Sequence, residues 1–243
     1  MTQHQQQQHQ HLYFGLDLGK RKDYSALALV EYSRPFITYR NPVTYEMDQE
    51  FEDPRYAVRQ LTRIPLGTKY VDVVEQIRAI LAKAVKKNYD CTLIVDATGV
   101  GQPVVEMFQD LPPRAKLVPV VITGGTPGAG SSRTRDEWHV PKQDLITGLQ
   151  IMLETGALQI ANGLPFSNAL LEELLEFRGG QSPKGNEWSE GPQDDLVLAT
   201  ALAAWRARRH EPPGSKNAGF KNKDIGIYAV GTTPSGWGTT RLF

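Results

Sequence analysis

A short, continuous apolar run, Cys91-Thr-Leu-Ile-Val95, ends abruptly at Asp96 and a glycine-rich turn, Thr98-Gly-Val-Gly-Gln102. A run of this kind has no polar face to offer water, so it predicts a buried central strand. Central strands of that type belong to layered α/β folds with helices covering the sheet. The flanking periods agree. Val74, Ile77, Leu81 and Val85 recur at helical spacing within Val71–Lys87, with Lys and Glu between them. Pro103 opens the next helix, where its missing N–H costs nothing. Leu117–Thr123 is a second buried strand, followed by a loop over Gly124–Trp138. Helices are predicted at Pro141–Thr155, Pro165–Arg178 and Gln193–Arg209, with a small strand at Leu158–Ala161.

Ahead of this alternation the pattern is purely β. Tyr13-Phe-Gly-Leu-Asp-Leu18 and Ser25–Tyr32 flank a short polar turn and read as a hairpin. Phe36–Tyr45 predicts a third antiparallel strand and Gln60–Leu66 a shorter fourth. Hairpin strands first, then helices alternating with parallel strands, make a mixed α/β chain with one central sheet. Residues 1–11, MTQHQQQQHQH, have nothing to bury and are expected to be disordered. Residues 12–209 form the folded unit, and 210–243, past Pro212-Pro213 and rich in Gly, Thr, Asn and Lys, read as a flexible basic tail.

Composition narrows the function. One cysteine, Cys91, excludes a disulfide framework or a cysteine zinc cage. No apolar run approaches the roughly 18–20 residues of a membrane span, so a soluble, cytoplasmic protein without a membrane partner is expected. The formal net charge of zero conceals an asymmetry. Arg206, Arg208, Arg209, Lys216, Lys221, Lys223 and Arg241 face only Glu211 and Asp224 at the C-terminal end, which leaves the rest of the chain acidic. An acidic body with a basic end suits a carboxylate site that must also hold a polyanion.

Three positions concentrate the chemistry. Asp17 interrupts an apolar strand, where carboxylates are depleted and costly to bury. Asp96 ends a strand at the carboxyl edge of the sheet, where α/β folds gather ligands. Asp194 and Asp195 open the apolar helix Leu196-Val-Leu-Ala-Thr-Ala-Leu. Singly, each has an ordinary explanation as a helix cap, a turn residue or half of an ion pair. Together they can converge, and clustered carboxylates repel unless a hard cation neutralises them. Oxygen-only ligands suit Mg²⁺ or Mn²⁺, two of which, about 3.5–4 Å apart, serve phosphodiester hydrolysis.

The order Phe14-Gly-Leu-Asp-Leu-Gly19 with Asp23-Tyr-Ser-Ala26, then Leu93-Ile-Val-Asp-Ala-Thr-Gly99, then Val140-Pro-Lys-Gln-Asp-Leu145, then Asp194-Asp-Leu-Val-Leu-Ala199 resembles the nuclease domain of phage terminase large subunits. The resemblance covers roughly residues 12–209 and implies a ribonuclease H-like mixed sheet flanked by helices. The family's first acidic residue falls on Asp17, its second on Asp96 and its third on the Asp194-Asp195 pair. There these residues bind two divalent ions and cut double-stranded DNA during genome packaging, in the cytoplasm of the infected or prophage-carrying host. The implied partners are DNA, a packaging ATPase, a terminase small subunit and a portal. The family also carries an N-terminal ATPase, yet no G-x-x-x-x-G-K-[ST] occurs here. Gly125–Ser132 has the spacing but puts Ser131 where the lysine must be, and reads as a mobile loop. The chain is thus expected to be a split subunit, a prophage remnant or a stand-alone nuclease.

Two other readings stay open: a Holliday-junction resolvase, and one lobe of an actin-like or sugar-kinase ATPase, in which Asp17-Leu-Gly19 and Asp96-Ala-Thr-Gly99 would be phosphate loops. Arg133 and Arg135 on the glycine-rich loop, Lys142, and Arg206, Arg208 and Arg209 are candidate phosphate contacts. Of the acidic pair, Asp195 shares the inward face of Ala199 and Leu202, so it is expected to be the direct ligand with Asp194 assisting.

Overall fold

A computed structural model describes residues 7–19, 23–98, 102–124, 131–134, 137–179 and 194–210. Nine strands and five helices are present among them. The strands are β1 (Gln7–Asp17), β2 (Ser25–Arg40), β3 (Met47–Phe51), β4 (Arg55–Ile64), β5 (Asp90–Asp96), β6 (Ala115–Thr123), β7 (Ser132–Arg133), β8 (Trp138–Pro141) and β9 (Leu158–Ile160). The helices are α1 (Tyr70–Lys86), α2 (Gln102–Glu106), α3 (Lys142–Glu154), α4 (Ser167–Gly179) and α5 (Asp195–Ala207).

All strands join one sheet in the order β7-β8-β6-β5-β1-β2-β4-β9, with β3 paired to the far end of β2. β1, β2 and β4 are antiparallel, while β5, β6 and β8 run parallel to β1. This is the mixed central sheet expected of a ribonuclease H-like chain. Because side chains alternate along a strand, β1 serves two cores. Leu12, Phe14, Leu16 and Leu18 pack with Val73, Val74, Ile77 and Leu81 of α1. Tyr13, with Ala26 and Ala28 of β2 and Ile94 of β5, packs on the opposite face against α3, α4 and α5. Asp17 lies two places beyond Gly15 and four beyond Tyr13, so it belongs to this second face.

Helix α5 reaches the sheet through Gly15. A Cβ built there would stand 2.0 Å from the Ala199 carbonyl oxygen and 2.8 Å from the Ala203 nitrogen, so only glycine admits the helix at this distance. Ala199 and Ala203 are fully buried in that contact. The close approach carries the start of α5 to the end of β1, where Asp17 stands.

The sequence reading and the structure differ in several elements. β1 begins at Gln7, inside the segment expected to be disordered, with Gln7 opposite Phe36 and His11 opposite Tyr32. Ladder bonds need only backbone, and the 16-residue β2 supplies a template longer than the apolar run of β1. β2 passes through Pro35 without a break, so the expected second and third strands are one. β3 and β8 arise in stretches with no alternating apolar pattern. Residues 1–6, 125–130, Arg135 and 211–243 lie outside the described residues, as do most of the expected leader, the glycine-rich loop and the tail. No helix among the described residues is long and apolar enough to cross a membrane.

Candidate active site

Register brings the acidic positions together. Leu16 pairs with Val95, so Asp17 and Asp96 end adjacent parallel strands side by side. Across the hairpin Asp17 pairs with Ala26, which pairs in turn with Arg63 of β4. Directly paired residues share a face, so Asp17, Ala26 and Arg63 form one row beneath the start of α5.

Asp17 is half-buried, and its carboxyl is pushed well above the usual carboxylate range. Burial is the largest cause, followed by the like charges of Asp96, Asp194 and Asp195, with Lys142 opposing. Asp96, Asp194 and Asp195 therefore all act on Asp17 electrostatically, though they come from β5 and the entrance of α5.

The other three each have a defined neighbour. Asp96 Oδ1 accepts the Thr98 backbone N–H at 2.8 Å and the Thr98 hydroxyl, an Asx turn that shapes the strand's exit. Thr98 Oγ1 accepts the Ile122 N–H at 2.7 Å, which ties this turn to β6. Asp194 occupies the N-cap position of α5, yet its carboxylate makes no capping bond; Oδ2 accepts from Lys142 Nζ at 2.8 Å instead. Asp195, 5% exposed, receives Arg63 Nε on Oδ2 at 2.8 Å and Nη2 on Oδ1 at 3.2 Å.

Arg63 and Glu173 were not singled out in the sequence. Arg63 Nη2 also donates to Glu173 Oε1, and Glu173 Oε2 accepts the Val197 N–H at 3.0 Å. Burial lifts the Glu173 carboxyl to about 7, against the Val197 hydrogen bond. A signal for Glu173 existed. It lies three residues after Leu170 and one before Leu174, on the buried stripe of α4. Arg63 offered none beyond its place in a strand.

Among the described residues no three carboxylate, imidazole or thiolate groups stand close enough to hold one ion without moving. Asp194 and Asp195 are turned onto Lys142 and Arg63. The donor chemistry still fits a hard divalent cation. The cluster is carboxylate oxygen throughout, and Asp17 sits among like charges that such a cation relieves.

The candidate phosphate contacts fall in three places. Lys142 is inside the cluster, on Asp194. Arg133 is exposed, over the Trp138 ring at 5.5 Å. Its pairing runs through Trp138 and Val120 to Asp96, three strands away, or roughly 14 Å by strand spacing. Arg206, Arg208 and Arg209 lie at the C-terminal end of α5, about 20 Å from its acidic start at 1.5 Å per residue. Arg209 stacks on Trp205 at 4.6 Å and donates to the Trp205 carbonyl, while Arg206 donates to the Arg209 carbonyl. Trp205 packs edge-on against Trp138. Arg135 is outside the described residues.

No family model matches the sequence, and no curated protein matches it. Similar solved structures include the human cytomegalovirus terminase nuclease domain, at 13% identity and a TM-score of 0.44, covering 81% of this chain and 82% of that one. The fowlpox virus Holliday junction resolvase has 10% identity and a TM-score of 0.36, over 82% and 99% of the two chains. Thermus thermophilus RuvC has 11% identity and a TM-score of 0.25, over 79% and 90%. At these distances the likenesses assign no activity to this chain.

Proposed function

We propose that this chain is a metal-dependent endonuclease that cuts double-stranded DNA, acting in viral genome packaging. One observation carries the reading: Asp17, Asp96, Asp194 and Asp195 come from three elements at one edge of the sheet, and burial, then the like charges of the other three, holds the Asp17 carboxyl above its ordinary range. A structural ion pair does not need four carboxylates, whereas a cluster of carboxylate oxygens suits a two-ion phosphodiesterase centre. Asp17, Asp96 and the Asp194-Asp195 pair would hold two Mg²⁺ or Mn²⁺ ions. Bound there, such ions supply the Lewis-acid chemistry of phosphodiester hydrolysis, making a water acidic and stabilising the leaving oxygen.

The chain's own residues do the rest. Lys142 offsets part of the acidic charge at Asp194. Arg133, exposed on the same face of the sheet, would contact a flanking phosphate, and Arg206, Arg208, Arg209 and Arg135 would extend that track. A separate packaging ATPase, a terminase small subunit and a portal are the proposed partners, in the host cytoplasm.

The test is cleavage of plasmid duplex, a four-way junction and ATP by the purified chain with Mg²⁺, Mn²⁺ or chelator. Nicking or linearising of the plasmid that chelator abolishes is the expected result. Cutting confined to the junction would make it a resolvase, and ATP hydrolysis without DNA cleavage would make it a kinase-like lobe.

A further inference from the structure

At the end of β2 far from the acidic positions, β2 and β3 form a two-stranded ribbon, and among the described residues β3 pairs with β2 alone. The Asn41 N–H donates to the Glu46 carbonyl and the Glu52 N–H to the Pro35 carbonyl. Ladder bonds alternate along an antiparallel pair, so Met47 and Gln49, opposite Arg40 and Thr38, turn their own N–H and C=O groups to the outer edge. Such an edge is a template for another strand. The tip of the ribbon is held in shape, since Asn41 Oδ1 accepts the Val43 and Thr44 N–H groups at 2.9 and 3.2 Å. It nevertheless leaves Val43 82%, Tyr45 69% and Met47 65% exposed. A strand edge guarded only against pairing needs charge, not three large apolar side chains beside it.

Charge decides which strand fits. Glu46, Asp48, Glu50 and Glu52 recur at every second residue and so share one face of β3. Glu46 and Glu50 are exposed and make no ion pair among the described residues. A second β3 laid alongside would set like charges opposite one another. The chain's own C-terminal segment has the complementary pattern. Lys221 and Lys223 have the same period of two, and Ile225 and Ile227 continue it. Its starting point is also close. His210 stacks on Tyr32 at 4.1 Å, four residues along β2 from Phe36, which pairs with Phe51. Four strand residues cover roughly 13 Å. Residues 211–220, extended, reach up to roughly 33 Å.

We propose that β3 is the docking edge for the chain's own C-terminal segment, with residues 220–230 adding to it as an antiparallel strand. The segment enters at the Phe51 end and runs toward the tip. Lys221 and Lys223 then come alongside the acids, and Ile225 and Ile227 approach the exposed apolar side chains. This inference does not depend on the metal-centre reading.

Hydrogen exchange of the Met47 and Gln49 amides in the full chain, followed by NMR, tests it. Both amides are expected to exchange at least about tenfold faster in Lys221→Glu/Lys223→Glu than in the wild type. Adding Glu46→Lys and Glu50→Lys to that variant restores the opposite charges and should return the rates to within roughly threefold. Gln49→Pro removes an outward N–H but no bond to β2, so it should keep the ribbon and free the Met47 amide. Circular dichroism checks each fold, and if the fourfold variant does not fold, Gln49→Pro carries the test. Amides that exchange as fast as unpaired ones in the wild type would overturn the proposal. So would unchanged rates in folded Lys221→Glu/Lys223→Glu, or a Met47 amide still protected in folded Gln49→Pro. Protection that disappears on dilution would also overturn it, by giving the edge to a second copy of the chain.

Discussion

Asp17 is destabilising without a cation, since burial and three like charges oppose its ionisation. Asp17→Asn removes the charge and keeps the shape, so the metal-free variant is expected to melt a few degrees higher, about 2–4 °C per kcal/mol at this chain length. It should also cut no DNA. A thermal melt in chelator beside a cleavage assay checks both, and an active or less stable variant contradicts the assignment. Two other groups give opposed pH dependences. Glu173, raised by burial from 4.5 to about 7, binds its proton more tightly in the folded state, so its contribution is present below about pH 4.5 and lost as pH rises through 7. His11, lowered from 6.5 to about 4 by burial and by His210, contributes above pH 6.5 and loses that contribution as pH falls through 4. Between pH 4.5 and 6.5 the two slopes oppose each other. Glu173→Gln removes the falling one, so its melting temperature should climb across that window more steeply than that of the wild type. Parallel profiles would show that Glu173 does not titrate there.

At the scale of elements, the meeting of α5 with β1 decides whether a site exists. Gly15→Ala drives a methyl into the Ala199 carbonyl, and neither backbone can retreat without unpacking Ala203. A loss of at least 1–3 kcal/mol is expected, with cleavage lost because the start of α5 withdraws from Asp17. Gly148→Ala, where the new Cβ meets only the flexible Arg208 guanidinium at 3.1 Å, should be neutral or stabilising by up to about 1 kcal/mol, the usual gain in a helix. Urea melts of the two variants separate close packing from glycine content. The central strand Asp90–Asp96, the amphipathic α1 and the acidic positions were legible because each is written locally, as a run, a period or a carboxylate out of place. The continuity of β2 was not, because Pro35 divides its two halves in the sequence, while pairing with β1 and β3 carries the strand through it. Nor was the Arg63 triad, whose members lie on β4, α4 and α5 and meet only once the sheet and helices have packed. The polar start of β1 misled for a related reason, since backbone pairing with β2 outweighs side-chain composition there.

Across the whole molecule, α5 carries an acidic start and a basic end separated by its own length, with Arg133 at the rim of the same face. That polarity fits a duplex held by its backbone away from the point of cutting. Affinity for DNA should then fall steeply with salt, and replacing Arg206 and Arg208 with glutamine should lessen the slope of log affinity against log salt by up to about one unit per lost phosphate contact. An unchanged slope would confine those arginines to capping α5. If the carboxylates at this edge of the sheet hold divalent metal, crystals soaked in Mn²⁺ reveal it by anomalous scattering. A manganese peak within ligand distance of Asp17 and Asp96 is expected. A map with no peak among Asp17, Asp96, Asp194 and Asp195 at saturating Mn²⁺ would contradict it.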